Sequence, residues 1–390
     1  MTPPPPTQSV RFISNCFVKT PTLSPHQNRP LHLPPFDLAM LSFHYIQKGL
    51  LFPLPPHCLH PGFDRPSFIH SFLEKLKRFL SPTSTRSPAA SQPSTSSPGA
   101  RFIHAALNLH MADILSPVYV PTIIQSFFDH DRAIHHDGHV LSLLSVQVTE
   151  LTNGVFIGLS MSHAIVLTRW FPENHPGPVS LPYTDDPLSF LARYEAPELG
   201  EHAFHFSADA IVGLKAEANR QCSTTKISSF QSLTALVWRC ITRACCFPPG
   251  QATSCQMGVD NRARLDSPLP LEYFGNSVVP LRVAAMVGEL LGSGLKWAAR
   301  LLHTASGIKT FNPYSVMMGS SPRFNMHGNK FGLGKAVALQ SGYAHKFDGK
   351  VSTYPDREGG GSIDLEICLP LATMAALEAD AEFVAVVTIS

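Results

Sequence analysis

The sequence is poor in charge and has no long apolar run. Of its 390 residues only 15% are charged, and 30 Lys and Arg nearly balance 28 Asp and Glu. Proteins that bind nucleic acid concentrate basic residues on one face, so this balance argues against such a partner. No stretch of about 18 apolar residues occurs, and therefore no membrane-spanning helix is predicted.

No cysteine pair or nucleotide-binding loop motif occurs, and no leader sequence is predicted. The eight cysteines form no CxxC pair and have no zinc-type spacing, which excludes a zinc finger. The chain opens with four prolines at residues 3–6 and lacks the charged and apolar regions of a signal peptide. No P-loop, spaced GxGxxG or GxSxG occurs. We expect a cytoplasmic protein with reduced thiols.

Apolar periodicity predicts a mixed α/β chain. Residues 66–80 repeat apolar side chains at helical spacing. Two alternating segments, 144–148 and 155–161, flank Asn153-Gly154, the dipeptide typical of a type I′ hairpin turn. Ser207 is a candidate helix N-cap.

The second half has its own helix and strand signals, and we place the domain boundary between residues 190 and 191. Ser228 and Gln231 have the spacing of a capping box before an amphipathic helix. Residues 363–369 alternate as a strand. Residues 81–98 are mostly Ser, Thr and Pro, which predicts a mobile loop because such a segment buries little apolar surface. The domains predicted are 1–190 and 191–390.

Two groups of residues are candidates for chemistry. His163 ends the second hairpin strand and is a candidate base, because imidazole titrates near neutral pH. The alternative is a structural histidine. The second group, between Asp129 and His139, is dense in His and Asp. A metal-dependent enzyme would use such ligands, but the segment lacks the i, i+4 His pair of a zinc helix. The alternative is a solvated loop, and we assign no metal ligand.

Several motifs, in one order, resemble the plant BAHD (HXXXD-type) acyltransferases, in an uncharacterised acetyltransferase-like branch. They cover nearly the whole chain. The matching segments are Pro35-Phe36-Asp37-Leu38, Met161-Ser162-His163, the helix 231–239, Val259-Asp260-Asn261-Arg262-Ala263-Arg264, Tyr273-Phe274-Gly275-Asn276, Phe331-Gly332-Leu333-Gly334-Lys335, Ser341-Gly342 and the strand from Gly361 to Glu366.

The resemblance implies two similar mixed-sheet α/β domains with a channel between them. It implies transfer of an acyl group from acyl-CoA, as co-substrate, to an alcohol or amine of a small plant metabolite. His163 is then the general base, with no covalent intermediate and no bound cofactor. Phe331, Gly332, Leu333 and Gly334 correspond to the family's DFGWG region near the acyl-CoA channel. Family members are mostly monomeric, so a monomer is expected.

The chain departs from the family pattern at the motif itself. The family has Asp four residues after the histidine, where this chain has Leu167. In the family that Asp pairs with an arginine, here Arg264, and Asp260 belongs to the same supporting motif. Relative to the family, an apolar strand is replaced at 81–98, a helix is missing between residues 302 and 311, and Lys330 and Leu333 replace Asp and Trp. Such losses indicate a degenerate copy or skipped coding segments. The alternative function is therefore a catalytically impaired member that binds acyl-CoA or a partner without turnover.

Overall fold

The protein is described here from a computed structural model, which defines residues 9–18, 40–80, 99–163, 198–262, 265, 268–269, 276–304, 315–319, 322–344, 346–357 and 359–388. The strands are β1 (Arg11–Val18), β2 (Ile46–Pro53), β3 (Ala100–Ala106), β4 (Leu144–Glu150), β5 (Gly154–Met161), β6 (Gly200–Phe206), β7 (Ala252–Asp260), β8 (Val278–Met286), β9 (Ser315–Gly319), β10 (Ala338–Ser341), β11 (Lys350–Pro355) and β12 (Ile363–Leu369). The helices are α1 (Arg65–Leu80), α2 (Ala112–Leu115), α3 (Ala208–Gln221), α4 (Ser229–Ala244), α5 (Val287–Gly292), α6 (Gly294–Thr304), α7 (Leu371–Glu378) and α8 (Ala381–Val384).

The strands form two six-stranded mixed sheets, which confirms the predicted α/β class with two similar halves. The first sheet has the order β1-β3-β4-β5-β2-β10 and the second the order β6-β12-β11-β9-β7-β8. Each sheet contains parallel neighbours, β3 with β4 in the first and β9 with both β7 and β11 in the second. One strand of the C-terminal half, β10, pairs with β2 and so belongs to the first sheet.

Amphipathic helices cover the sheets as their patterns predict. The buried side of α1, with Ile69, Phe72 and Leu76, lies in the core of the first sheet. Ser228 accepts a hydrogen bond from the backbone of Gln231, whose side chain bonds back, so the predicted capping box starts α4. Along α4 the apolar side is buried in the second core, where Trp238 is fully enclosed. Ser207 caps α3 in the same manner.

The β4–β5 hairpin forms as predicted, but its turn differs from the prediction. The backbone N–H of Leu151 donates to the carbonyl of Gly154, so Thr152 and Asn153 are the central residues, and neither has positive φ. Asn153 instead accepts a hydrogen bond from the backbone N–H of Met111 at 2.9 Å. At Gly154 a Cβ would lie 2.6 Å from the Met111 sulfur and 2.9 Å from the backbone carbonyl oxygen of Phe52, which cannot move aside as a side chain can. Glycine is therefore required for close packing rather than for a type I′ turn.

Polar side chains join the two sheets, a feature that the sequence did not predict. Lys48 of β2 donates to the Tyr354 hydroxyl of β11, and Ser341 of β10 donates to the Glu366 carboxylate of β12. Lys346, which follows β10, is paired with Glu201 of β6. These side chains are mostly buried, and buried charges persist only when they are paired and hydrogen-bonded.

Several predictions fall on residues outside the described part. These are the mobile loop at 81–98, the motif 35–38, and most of the segment around the boundary at 190 and 191, so the domain limits stay a prediction. Among the described helices, none combines the length and apolar character needed to cross a membrane.

Candidate active site

His163 lies immediately after β5, in the middle of the first sheet. The alternation along β5 ends at Met161, and Ser162 is bonded through its backbone N–H to the carbonyl of Leu143. His163 is thereby held just beyond the end of this interior strand, with its side chain partly buried. The sequence predicted this position from the end of the hairpin strand.

A residue of the other half holds the imidazole. The Nδ1 atom of His163 lies 2.7 Å from Oδ1 of Asn276, and Nδ2 of Asn276 donates to the carbonyl of His163 at 2.9 Å. The second bond fixes the amide orientation, because only its nitrogen can donate to a carbonyl. The amide oxygen therefore accepts from Nδ1–H, and the free electron pair of the neutral ring is on Nε2.

In the sequence, Asn276 is recognised only as part of a family motif, and its role is not predicted. It lies just before β8, in the second sheet, and 113 residues from His163. Its place at the end of the motif Tyr273-Phe274-Gly275-Asn276 is the one signal in the sequence that could have marked it. No spacing rule connects an amide so distant in the chain to a histidine.

His135 supports the backbone of His163 from the opposite direction. Its Nδ1 accepts from the His163 backbone N–H at 3.2 Å, and the hydroxyl of Ser162 lies 3.3 Å from the same atom. The two imidazole rings meet edge to face with centroids 4.7 Å apart. His135 is only 2% exposed, so it fixes the turn that carries His163.

The electrostatics of the site favour neutral imidazole. Burial lowers the pKa of His163 below its usual value near 6.5, and the bond to Asn276 opposes this only in part. A ring that is neutral at pH 7, with an electron pair on Nε2, can accept a proton from a bound hydroxyl or amine.

The segment between Asp129 and His139 is only in part the solvated loop that the sequence favoured over a metal site, since Asp131 and Arg132 are exposed. His130 and His135 are buried, and residues 135–139 form a single turn of 3-10 helix in which Asp137 accepts from the backbone of Ile134. Nε2 of His130 lies 2.9 Å from the Ser142 hydroxyl. His130 and Asp137 therefore form hydrogen bonds within the protein, which gives them a structural role without a metal ion.

The predicted acyl-CoA region, Phe331 to Gly334, lies at the other end of the first sheet. Phe331 packs edge to face on Phe52, and Leu333 is buried in the core of the first sheet. Phe52 pairs with Val155, which precedes His163 by eight residues. At the strand rise of about 3.3 Å per residue, Val155 and His163 are therefore about 26 Å apart. The structure thus places this loop beside β10 and away from His163.

Among the contacts of the described residues, none joins Asp260, the other predicted site residue that the structure describes, to His163. Asp260 ends β7 and accepts from the backbone and side chain of Arg262 at 3.1 and 3.0 Å. Arg264 and Leu167 lie outside the described residues. A cavity of about 870 Å³ opens near Asp129 and Gln147, and His163 is not among its lining residues. The channel between the halves stays a prediction.

The chain belongs to the Transferase family, whose model matches residues 8–167, 197–310 and 302–384. This confirms the resemblance to plant BAHD acyltransferases, and the protein is an acyltransferase by family. It is 29% identical to an uncharacterized acetyltransferase of Arabidopsis thaliana, over 96% of this chain and 98% of the relative. That comparison extends over 447 positions, more than the 390 residues of this chain, so the relative has segments that are missing here.

Solved structures show the same fold. Vinorine synthase matches with a TM-score of 0.69 and 18% identity, over 97% of this chain and 98% of that one. The TRI101 protein of F. graminearum, complexed with ethyl coenzyme A, matches with a TM-score of 0.62 and 16% identity, over 92% and 99%. At these identities the likeness concerns the fold alone.

Proposed function

We propose that this chain transfers an acyl group from acyl-CoA to a hydroxyl or amine of a small molecule, with His163 as the general base. Family membership supports the reaction class, and TRI101, which shares the fold, has been solved with ethyl coenzyme A. The observation that carries the role of His163 is its bond to Asn276, which leaves the electron pair on Nε2.

In the proposed reaction, Nε2 of His163 takes the proton of the acceptor as its oxygen or nitrogen attacks the thioester carbonyl. The tetrahedral intermediate collapses, the carbon–sulfur bond breaks, and the imidazolium returns the proton to the leaving thiolate. Asn276 continues to accept from Nδ1–H throughout, so the ring does not rotate between the two transfers. Positioned general-base help of this kind is worth about 10²–10⁴ in rate.

The test is release of free CoA thiol from acetyl-, malonyl- or aromatic acyl-CoA by the purified chain, with alcohols and amines as acceptors. We expect acceptor-dependent release that falls by about 10²–10⁴ in His163→Ala. The matched control is His202→Gln, since His202 is also bonded through Nδ1 to a side-chain oxygen at 2.7 Å but belongs to the second sheet. Release that is unchanged in His163→Ala would contradict the assigned role.

Leu167 favours a second candidate, a family member that binds acyl-CoA without turnover. The position of Leu167 is that of the aspartate in the family motif, and the family match stops at residue 167 and resumes at 197. Calorimetry distinguishes the two candidates. Heat of binding for acetyl-CoA, together with no CoA release for any acceptor, would favour the second, whereas turnover at any measurable acceptor-dependent rate would favour the first.

A further inference from the structure

Three possible metal ligands meet on the second sheet, whereas His163 follows a strand of the first sheet. His205 of β6 lies opposite Asp364 of β12, and its Nδ1 is 2.7 Å from the Asp364 Oδ1. Asp356 follows β11. One ligand atom from each of these three residues lies within 4.8 Å of the others, and all three side chains are partly buried.

The turn between β11 and β12 brings the third ligand to the pair. Gly359, Gly360 and Gly361 all have positive φ, between 77° and 104°, a conformation that favours glycine. Asp356 donates its backbone N–H to the carbonyl of Ser362 at 3.3 Å, which closes the turn. The carboxylate of Asp356 is thereby folded back beside the strand that carries Asp364.

A second histidine, outside this group of three, interacts electrostatically with the same carboxylates. His327 is only 7% exposed, and its Nδ1 atom is buried without a hydrogen-bond partner. Burial lowers its pKa and so does the charge of Lys335, while the carboxylates of Asp364 and Asp356 act to raise it. A hydrogen bond to the backbone of Ala336 holds the ring.

We propose that His205, Asp356 and Asp364 form a binding site for Zn²⁺ or a similar divalent transition metal ion. Imidazole nitrogens and carboxylate oxygens bind such ions at about 2.0–2.2 Å, so three ligand atoms within 4.8 Å of one another need only small rotations to close on one ion. The ion takes the place of the proton between His205 and Asp364. It joins β6, β12 and the β11–β12 turn, a structural role that does not rest on the proposed acyl transfer.

The same strand provides a matched control. His202 of β6 lies 2.7 Å from Glu378 through its Nδ1, the same distance as in the pair of His205 and Asp364. Within the described part of the chain this pair has no third metal-ligating side chain beside it. If both histidines only form ion pairs, substitutions at His202 and His205 should have similar effects. A metal site predicts that only the pair of His205 and Asp364 affects metal binding.

The experiment is titration of the full chain, treated with chelator and dialysed, with Zn²⁺ and separately with Co²⁺. Calorimetry and the visible absorption of bound Co²⁺ give stoichiometry and affinity, and thermal melting gives the stabilisation. We expect one equivalent to bind with a rise in Tm. Asp364→Asn should weaken that site by at least about 10- to 100-fold, since outer-shell changes alone have effects of that size.

If Asp364→Asn has a lowered Tm without metal, Asp356→Asn, which lies in a surface turn, is the variant to test instead. His202→Gln should bind as the original chain does. Equal loss of affinity in His202→Gln and Asp364→Asn would overturn the site, as would unchanged binding in both Asp356→Asn and Asp364→Asn, because the metal would then bind to other histidines or thiols. No binding of either metal to the original chain would also overturn it.

Discussion

Two histidines in this protein have the same hydrogen-bond distance and opposite surroundings. The Nδ1 atom of His163 lies 2.7 Å from an amide oxygen of Asn276, and that of His205 lies 2.7 Å from a carboxylate oxygen of Asp364. The first partner is neutral and the second is charged. Geometry alone would make the two sites equivalent, so the charge of the partner decides what each imidazole can do.

The neutral amide of Asn276 orients the His163 ring without attracting a cation to the site. Burial lowers the pKa of His163, and the amide fixes the tautomer but brings no negative charge. The ring is therefore a neutral base at pH 7. A carboxylate partner, with a second carboxylate nearby, attracts a metal cation. We infer proton transfer at the first site and cation binding at the second.

Converting the first site to the second gives the largest expected effect. In Asn276→Asp the carboxylate should raise the pKa of His163 by about 1–3 units, the usual effect of an opposite charge at this distance. Because only the neutral ring acts as base, the acidic limb of the kcat/KM profile should move up by the same amount. In the original chain this limb lies below about pH 6.5, since burial lowers the pKa.

The measurement is CoA release between pH 5 and 9, with Asn276→Ala as the matched variant that removes the amide without adding charge. Asn276→Ala should lower kcat, because the tautomer is no longer fixed, and leave the limb below that of Asn276→Asp. If the acidic limb of the kcat/KM profile lies at the same pH in both variants, the charge of the residue at position 276 has no part in the activity.

The same comparison predicts how stability depends on pH. His163, His130 and His327 all have a pKa lowered by burial. Between that lowered value and about 6.5 the unfolded chain binds protons that the folded chain does not, so stability rises with pH and falls on acidification. These three histidines should therefore contribute less to the Tm at pH 5.5 than at pH 7.5, whereas the buried Glu201 carboxyl, whose pKa is raised to about 8, acts in the opposite direction.

The contribution of His163 is isolated by His163→Gln, which cannot titrate. The difference in Tm between pH 5.5 and 7.5 should be smaller in this variant than in the original chain. A difference of equal or greater size would show that His163 does not prefer the neutral form on folding.

The smallest expected effect concerns the two carboxylate-paired histidines in metal-free protein. Their side chains are 22% and 30% exposed, and ion pairs of this kind contribute about 0.2–1 kcal/mol. His202→Gln and His205→Gln should each lower the free energy of unfolding by that amount in urea melts with chelator present. A much larger loss for His205→Gln in chelator would mean that its role does not depend on a metal.

Local patterns in the sequence predicted the elements that depend on near neighbours. The period of apolar residues defined α1, the capping box at Ser228 defined the start of α4, and alternation defined β4 and β5. The predicted hairpin turn was wrong because Gly154 is required by close contact with the Phe52 carbonyl oxygen, which is 102 residues away. A dipeptide rule contains no information about such a contact.

The sequence by itself determined the family, the two-sheet α/β class and the position of His163, because ordered motifs and periodicity are properties of the chain read in order. Only the tertiary structure decided which groups surround that histidine and where the other polar side chains meet. Asn276 reaches His163 from the second sheet, and Asp356, Asp364 and His205 meet through a glycine turn and a strand pairing. Hydrogen bonds, burial and charge act through space over a few ångströms, so residues more than a hundred positions apart gain their roles only when the chain has folded.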